Sequence, residues 1–180
     1  RLSQVDPAAA HAMLGDFTRM LKGSLAGMRD DRSTLGREVA LATAYLAVQK
    51  IRMAERLRYT AVVPDALADV ALPPMMLSTL VENAIKHGLA PLPEGGVVAV
   101  TARADGGTLR VEVRDNGRGL RESTGAGVGL ANIESRLAGL YGASAALELW
   151  ENPDGGVTAA LCLPLRRAAR ALEATTDAGR

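Results

Sequence analysis

Two glycine pairs divide the second half of this sequence into β-hairpins. Asp105-Gly106-Gly107 separates one pair of apolar segments, and a turn-forming sequence over residues 152–156, which ends in Gly155-Gly156, separates another. Glycines after Asp or Asn supply the positive φ angles that tight hairpin turns need, and alternating apolar residues are typical of strands. The pattern excludes an all-helical fold. It predicts strands over residues 97–104, 108–114, 145–150 and 157–163.

The first third of the chain has a different periodicity. Apolar residues recur every three or four positions over residues 7–28 and again over 34–58, with a polar turn between them. This spacing predicts two amphipathic helices that form a helical hairpin. Further along, Leu72-Pro73-Pro74 opens a helix over residues 75–87 that is expected to end at Gly88, and residues 130–140 predict another helix. Helices mixed with antiparallel hairpins indicate an α+β sandwich with helices on one face of a sheet.

Composition excludes several classes of protein. The chain is 48% hydrophobic and 23% charged, which is enough apolar material for a core. Its formal net charge is +1, and its positive and negative residues are interspersed rather than gathered in a basic stripe that would bind nucleic acid. A single cysteine excludes an internal disulfide framework and a thiolate metal cluster, and two histidines make a histidine-rich metal site unfavourable. No apolar run approaches the roughly 20 residues that span a bilayer. These features predict a cytoplasmic protein, and the absence of Met before Arg1 predicts a piece of a longer one.

Three polar side chains share one face of the helix at residues 75–87. Asn83, Lys86 and His87 are three and four residues apart, so an amide oxygen, an ammonium and an imidazole are gathered together. Lys and His neutralise phosphate, and an amide oxygen suits Mg²⁺. Glycines over residues 125–129 precede a helix N-terminus, which attracts anions. No Walker A sequence occurs, and the glycines do not lie in a βαβ unit, so a different type of nucleotide site is predicted.

The sequence Asp115-Asn116-Gly117-Arg118-Gly119 is open to two interpretations. Asp-Asn-Gly is a common turn, and Asp115 follows a predicted strand. An ionised carboxylate is also an acceptor only, so it suits an adenine amino group and disfavours a guanine oxo group. The glycine-rich segment downstream favours the second interpretation.

These segments together carry a family resemblance. Residues 80–88 (Leu-Val-Glu-Asn-Ala-Ile-Lys-His-Gly) resemble the N box of LytS-like sensor histidine kinases. Asp115-x-Gly117-x-Gly119 is similar to the first glycine box, and residues 125–130 with Asn132 and Arg136-Leu137 are similar to the second. Tyr45-Leu46-Ala47-Val48-Gln49 with Arg52 resembles the helix that precedes the ATP-binding domain. The resemblance covers roughly residues 6–165 and implies the GHKL (Bergerat-type) fold, a two-layer α/β sandwich with a mixed sheet.

The resemblance also implies site residues and partners. Asn83 would hold Mg²⁺, Lys86 and His87 would contact phosphates, and Asp115 would bind the adenine amino group. The backbone would approach the base at Gly117 and Gly119 and the phosphates at Gly127, Gly129 and Leu130, under a short lid over residues 120–124. The implied ligands are ATP and Mg²⁺. The implied partners are a second copy and a response regulator, with no nucleic acid, and a membrane only through upstream segments.

The implied domains are a partial dimerisation region at 1–58, an ATP-binding catalytic domain at 59–165 and a tail at 166–180. The family's phosphoacceptor box is absent: His11 is followed by Ala-Met-Leu-Gly, so the chain holds no catalytic histidine and is expected to bind ATP without phosphorylating itself. Ser78-Thr79 replaces the usual Gln-Pro, and Thr158 is displaced from the late glycine-Thr motif, so no phosphate contact is assigned there.

Three alternatives stay open. A GHKL ATPase would need a glutamate at the position of Thr79 to activate water. An anti-sigma serine kinase would stand alone, without the helix at residues 34–58. A degenerate, non-catalytic nucleotide-binding signalling module would need no intact motifs.

Overall fold

The computed structural model describes residues 33–120 and 128–167, and the chain there forms a five-stranded sheet with helices packed on it. Its strands are β2 (Leu57–Val62), β4 (Gly96–Asp105), β5 (Thr108–Asp115), β6 (Ala146–Glu151) and β7 (Val157–Pro164). They are ordered β2-β4-β5-β7-β6, in which β2 and β4 are parallel and the other neighbours are antiparallel. The sheet is therefore mixed.

The two predicted hairpins are confirmed. β4 and β5 pair from Asp105–Thr108 to Val98–Asp115, and β6 pairs with β7 from Glu151–Val157 onward. Two further strands, β1 (Ser33–Thr34) and β3 (Ala71–Leu72), pair with each other, and Arg167 forms a bridge to Val70. These pairings were not predicted, because two-residue strands carry no periodic signal. They place Arg166 and Arg167, from the predicted tail, against the domain, and the rest of that tail lies outside the described residues.

Helix α1 (Leu35–Met53) is the second helix of the predicted hairpin. The Thr34 hydroxyl caps it by accepting a hydrogen bond from the Arg37 amide. It ends at Met53, because the next residue, Ala54, has a left-handed φ of 51°; the predicted end at residue 58 is therefore wrong, and β2 already starts at Leu57. The first predicted helix lies outside the described residues.

Helix α2 (Met76–Asn83) widens into a π-helix over Ala84–Leu89. The Ala90 amide donates to the Ile85 carbonyl five residues earlier (2.8 Å), which is the hydrogen-bond pattern of a π-helix. The sequence predicted that this helix ends at Gly88, and the π-helical segment ends one residue later, at Leu89. π-Helical turns are rare and often lie at functional sites. Helix α3 (Val128–Tyr141) begins at the predicted second glycine box.

One face of the sheet is buried under the helices. Strand residues such as Val100 and Val111 join helix residues such as Leu46, Leu80 and Leu137 in one core. The opposite face is polar, and there Arg110 contacts Glu112, Glu148 and the Trp150 ring. Among the described residues, no helix is long and apolar enough to cross a membrane.

Candidate functional site

Asp115 ends β5 as a buried carboxylate that is 4% exposed. The amides of Gly117 (2.8 Å) and Val157 (3.3 Å) both donate to Oδ1. Among the described residues, no hydrogen bond reaches Oδ2, which leaves it as a free acceptor. Burial raises the pKa of Asp115 above its ordinary value, and the two amides oppose that rise.

Two glycines allow close packing beside Asp115. A Cβ on Gly88 would lie 2.8 Å from Asp115 Oδ1, and a Cβ on Gly117 would lie 2.5–2.6 Å from the backbone of Gly88. Real Cβ atoms do not approach other atoms so closely. The end of the N box and the first glycine box therefore touch through bare backbone, and this contact requires glycine at both positions.

The turn between β6 and β7 supports Asp115 from the other side. The Asn152 side-chain amide donates to the Asp115 carbonyl (2.9 Å), and the Thr158 hydroxyl donates to Asn152 Oδ1 (2.6 Å). Gly156, with a φ of +80°, packs so closely that a Cβ would overlap the Asp115 carbonyl oxygen. Sequence reasoning missed these residues. The Gly155-Gly156 pair was a signal for a turn, but nothing in the sequence showed that the turn packs on Asp115.

The polar residues of the N box lie around the junction of α2 with its π-helical end. Asn83 is half-buried, whereas Lys86 and His87 are exposed. The Arg118 guanidinium donates to the His87 carbonyl (2.8 Å), and this bond fixes the backbone at the end of the N box. Among the described residues, no group of three or more His, Cys, Asp or Glu side chains forms a metal cluster.

Glycine also controls the exit from the first glycine box. Gly119 has a φ of +80°, and a Cβ there would lie 2.6 Å from Glu151 Oε1. The same carboxylate oxygen accepts a hydrogen bond from the Leu120 amide (2.6 Å). Gly119 therefore turns the chain onto β6 just before residue 121.

A groove of about 330 Å³ separates α2 from α3. It is lined by Thr79, one turn before Asn83, and by Gly129, where a Cβ would lie 2.9 Å from Thr79 Cγ2. Leu130 is half-buried and packs on the core. Gly127 lies outside the described residues. The remaining lining residues are Met75, Met76, Asn132, Ile133, Ser135 and Arg136.

The structure thus brings the three motifs to one side of the domain. Asp115, Gly117 and Gly88 are in contact, and Gly129 meets the helix that carries Asn83, Lys86 and His87. The arrangement offers a buried acceptor at Asp115 and exposed Lys86 and His87 side chains on the N box. It suits a ligand with a neutral hydrogen-bond donor and an anionic tail.

Comparison with known proteins identifies the family. The family described as histidine kinase-, DNA gyrase B-, and HSP90-like ATPase matches residues 69–167, and the histidine kinase family matches residues 1–57. The first match alone covers more than half of the chain. The chain belongs to this ATPase family. Family membership implies ATP as the nucleotide.

The curated relatives are sensor kinases. The chain is 32% identical over 176 residues to the sensor protein LytS of Staphylococcus haemolyticus, covering 91% of this chain and 30% of that protein. It is 31% identical over 180 residues to the sensor histidine kinase/phosphatase LytS of Staphylococcus aureus, covering 92% and 31%. The chain therefore spans less than a third of the length of these relatives. The predicted resemblance to LytS-like sensor histidine kinases is confirmed, and the predicted enzyme class, protein-histidine kinase, agrees with the name of the Staphylococcus aureus relative.

Solved structures confirm the fold. The catalytic domain of histidine kinase ThkA superposes with a TM-score of 0.57 at 14% identity, covering 76% of this chain and 97% of that one. The histidine kinase domain of the blue-light-activated kinase EL346 of Erythrobacter litoralis gives 0.59 at 18% identity, covering 91% and 79%. Full-length ShkA in complex with AMPPNP gives 0.56 at 22% identity, covering 87% and 36%. The predicted α+β GHKL fold is confirmed.

Proposed function

We propose that this chain binds Mg-ATP with the adenine amino group on Asp115. The observation that carries the proposal is the buried carboxylate whose Oδ1 is held by two backbone amides and whose Oδ2 has no hydrogen bond among the described residues. An ionised carboxylate oxygen only accepts hydrogen bonds, so a ligand N–H that donates to Oδ2 would form a charge-assisted hydrogen bond there. The AMPPNP complex of the similar kinase ShkA supports an adenine nucleotide as the ligand class.

The phosphates are proposed to lie toward α2 and the start of α3. Lys86 and His87 present exposed side chains there, and Gly127, Gly129 and Leu130 are assigned to the phosphate-binding backbone, with Gly117 and Gly119 beside the base. Asn83 offers an amide oxygen to Mg²⁺, whose remaining ligands would be phosphate and water oxygens. Bound Mg²⁺ would neutralise charge that develops on the transferred phosphoryl group.

The reaction proposed for the whole protein is transfer of the ATP γ-phosphate to a histidine outside this chain. Positioning and charge neutralisation dominate phosphoryl transfer, so Lys86 and His87 need only orient the phosphates. A homodimeric arrangement and a response regulator as the final acceptor follow from the likeness to LytS sensor kinases. A cytoplasmic location of this region, below a membrane-bound sensor, is part of the same proposal.

Thr79 argues against the rival ATPase reaction. Its hydroxyl donates to the Met75 carbonyl (2.7 Å), and its methyl group faces Gly129. A hydroxyl so engaged is no general base for water. The structure therefore favours a kinase over a hydrolase at this site.

Substitution of Lys86 tests the phosphate assignment. Lys86→Ala should weaken ATP about tenfold, the scale of one charge-assisted hydrogen bond, and leave adenosine affinity unchanged. Isothermal titration calorimetry with both ligands measures the difference. Lys50→Ala, which removes an α1 lysine paired with Glu55, is the matched control and should change neither affinity. Equal loss for ATP and adenosine in Lys86→Ala would contradict the assignment.

A further inference from the structure

Glu38 is a carboxylate that the proposed reaction does not use. It lies in the first turn of α1 and is 0% exposed. Neither of its oxygens makes a hydrogen bond of good geometry within the described parts of the chain. Burial of a carboxylate is expensive, so such a group in a native core requires a reason. The α1 helix dipole favours a negative charge there but satisfies neither oxygen.

The groups around Glu38 belong to three other elements. The backbone amides of Met75 and Leu77, at the start of α2, the Ser33 hydroxyl on β1 and the Arg136 guanidinium on α3 all favour its ionised form. Burial outweighs them and raises the pKa of Glu38. Arg136 is the one charged group among these neighbours.

The start of α2 needs an external partner. Met75 has a left-handed φ of 68°, and no side chain of its own segment caps the helix. The first amides of a helix have no partner within the helix. The Met75 and Leu77 amides at this end influence the Glu38 carboxylate without making a hydrogen bond of good geometry to it, so Glu38 places an acidic group from a different helix beside the uncapped start of α2.

Arg136 holds the same turn from the opposite side. Its guanidinium donates to the Pro74 carbonyl (2.8 Å), one residue before Met75. Arg136 also lines the groove between α2 and α3, together with Gly129. Gly129 lies two turns before Arg136 on α3. A ligand bound at the second glycine box and the hydrogen bond from Arg136 to Pro74 therefore involve the same helix.

We propose that Glu38 and Arg136 clamp the Pro74-Met75 turn and thereby couple α1 to the nucleotide site. The two are positioning residues: Glu38 fixes the start of the helix that carries Asn83, and Arg136 ties that start to α3. The inference rests on the proposed function and extends it. Coupling is reciprocal, so nucleotide binding must change the environment of Glu38, and the state of Glu38 must change nucleotide affinity.

Amide chemical shifts of the 180-residue chain test the clamp directly. In a pH titration of the wild type, the amide resonances of Met75 and Leu77 should shift with one common midpoint above 4.5, the ordinary glutamate value. Glu38→Gln should abolish this titration. Arg136→Met should raise the midpoint, because it removes the positive charge that favours the ionised form. Saturating Mg-ATP should also move the midpoint.

Affinity supplies the second readout. Glu38→Gln should weaken Mg-ATP about threefold to tenfold, the usual size of coupling through a packed element. Leu46→Ala is the control: it removes a buried α1 side chain and lowers the melting temperature, yet it should keep both the titration and the ATP affinity.

Persistence of the titration in Glu38→Gln would overturn the clamp. So would a midpoint insensitive to Mg-ATP combined with unchanged ATP affinity in Glu38→Gln. If the wild type bound no ATP at all, the proposed function would fail as well, whereas the loss of titration in Glu38→Gln would still report the contact with α2. The two failures are therefore distinguishable.

Discussion

Strand β5 runs between two turns of similar sequence and different surroundings. The turn at its start contains Gly106 and Gly107, with φ angles of 53° and 82°, and a Cβ at either position would meet nothing within 4 Å. The turn beside its end contains Gly155 and Gly156, with φ angles of 94° and 80°, and Gly156 is packed on the backbone of Asp115 and Asn116. Both pairs adopt the positive φ angles of a tight turn, but only the second pair also packs against the candidate site.

The comparison separates two reasons for glycine. At Gly107 the requirement is conformational, since L-residues with side chains avoid positive φ. At Gly156 a steric requirement is added, because the neighbouring backbone occupies the space of a side chain. Substitution of matched residues at the two ends of β5 therefore distinguishes folding from ligand binding.

Gly156→Ala should have the largest effect. Overlap with the Asp115 backbone plus the left-handed conformation should cost about 3 kcal/mol or more in the free energy of unfolding. Displacement of Asp115 should also abolish ATP binding. Gly107→Ala should cost about 1 kcal/mol from conformation alone and leave ATP affinity intact. Chemical denaturation and calorimetry measure both, and similar losses for the two variants would contradict the distinction.

Gly117→Ala should have the next largest effect. Its Cβ would lie 2.5–2.6 Å from the Gly88 backbone, so the first glycine box must move away from the N box. We expect a loss of about 1–3 kcal/mol in stability and at least about tenfold in ATP affinity. Gly139→Ala is the control, because nothing lies within 4 Å of that position in α3. It should stabilise the helix by about 0.5–1 kcal/mol without changing ATP affinity.

Asp115→Asn should have the smallest effect on stability. Burial raises the pKa of Asp115 in the folded state, so protonation of its carboxyl group contributes to the stability of the fold. That contribution is fully present below pH 3.8, the ordinary aspartate pKa, and is lost as the pH rises through the folded-state pKa. At pH 7.5 the variant should therefore melt at or above the wild-type temperature, and any gain should shrink as the pH falls toward 3.8. A clearly lower melting temperature at pH 7.5 would show that the ionised carboxylate stabilises the fold.

The sequence was sufficient to predict the elements with strong local patterns. Both hairpins and the helices at α1, α2 and α3 were found from periodicity and turn residues. The end of α1 was misplaced because Ala54 adopts a left-handed φ that nothing in its identity indicates. The parallel pairing of β2 with β4 joins strands that are separated along the chain by α2, and a local sequence pattern does not record such a long-range pairing.

The candidate site was predictable where it is built from contiguous motifs. Asp115, Gly117 and the N box could be named because their residues lie together in the sequence. Asn152, Gly156 and Glu38 could not, since their importance arises only when distant segments meet. Glu38 in particular occupies the first turn of an amphipathic helix, where a carboxylate is normally exposed and explained by the helix dipole.

Calorimetric titration of Mg-ATP into the wild type, Asp115→Asn and Asp105→Asn tests the central claim most directly. The two substitutions make the same chemical change at opposite ends of the β4-β5 hairpin, Asp115 at the buried site and Asp105 at the exposed turn. Loss of a charge-assisted hydrogen bond should lower the ATP affinity of Asp115→Asn by roughly 10- to 100-fold. Asp105→Asn should bind like the wild type. Equal ATP affinity in all three folded proteins would contradict the assignment of Asp115 as the adenine-binding residue.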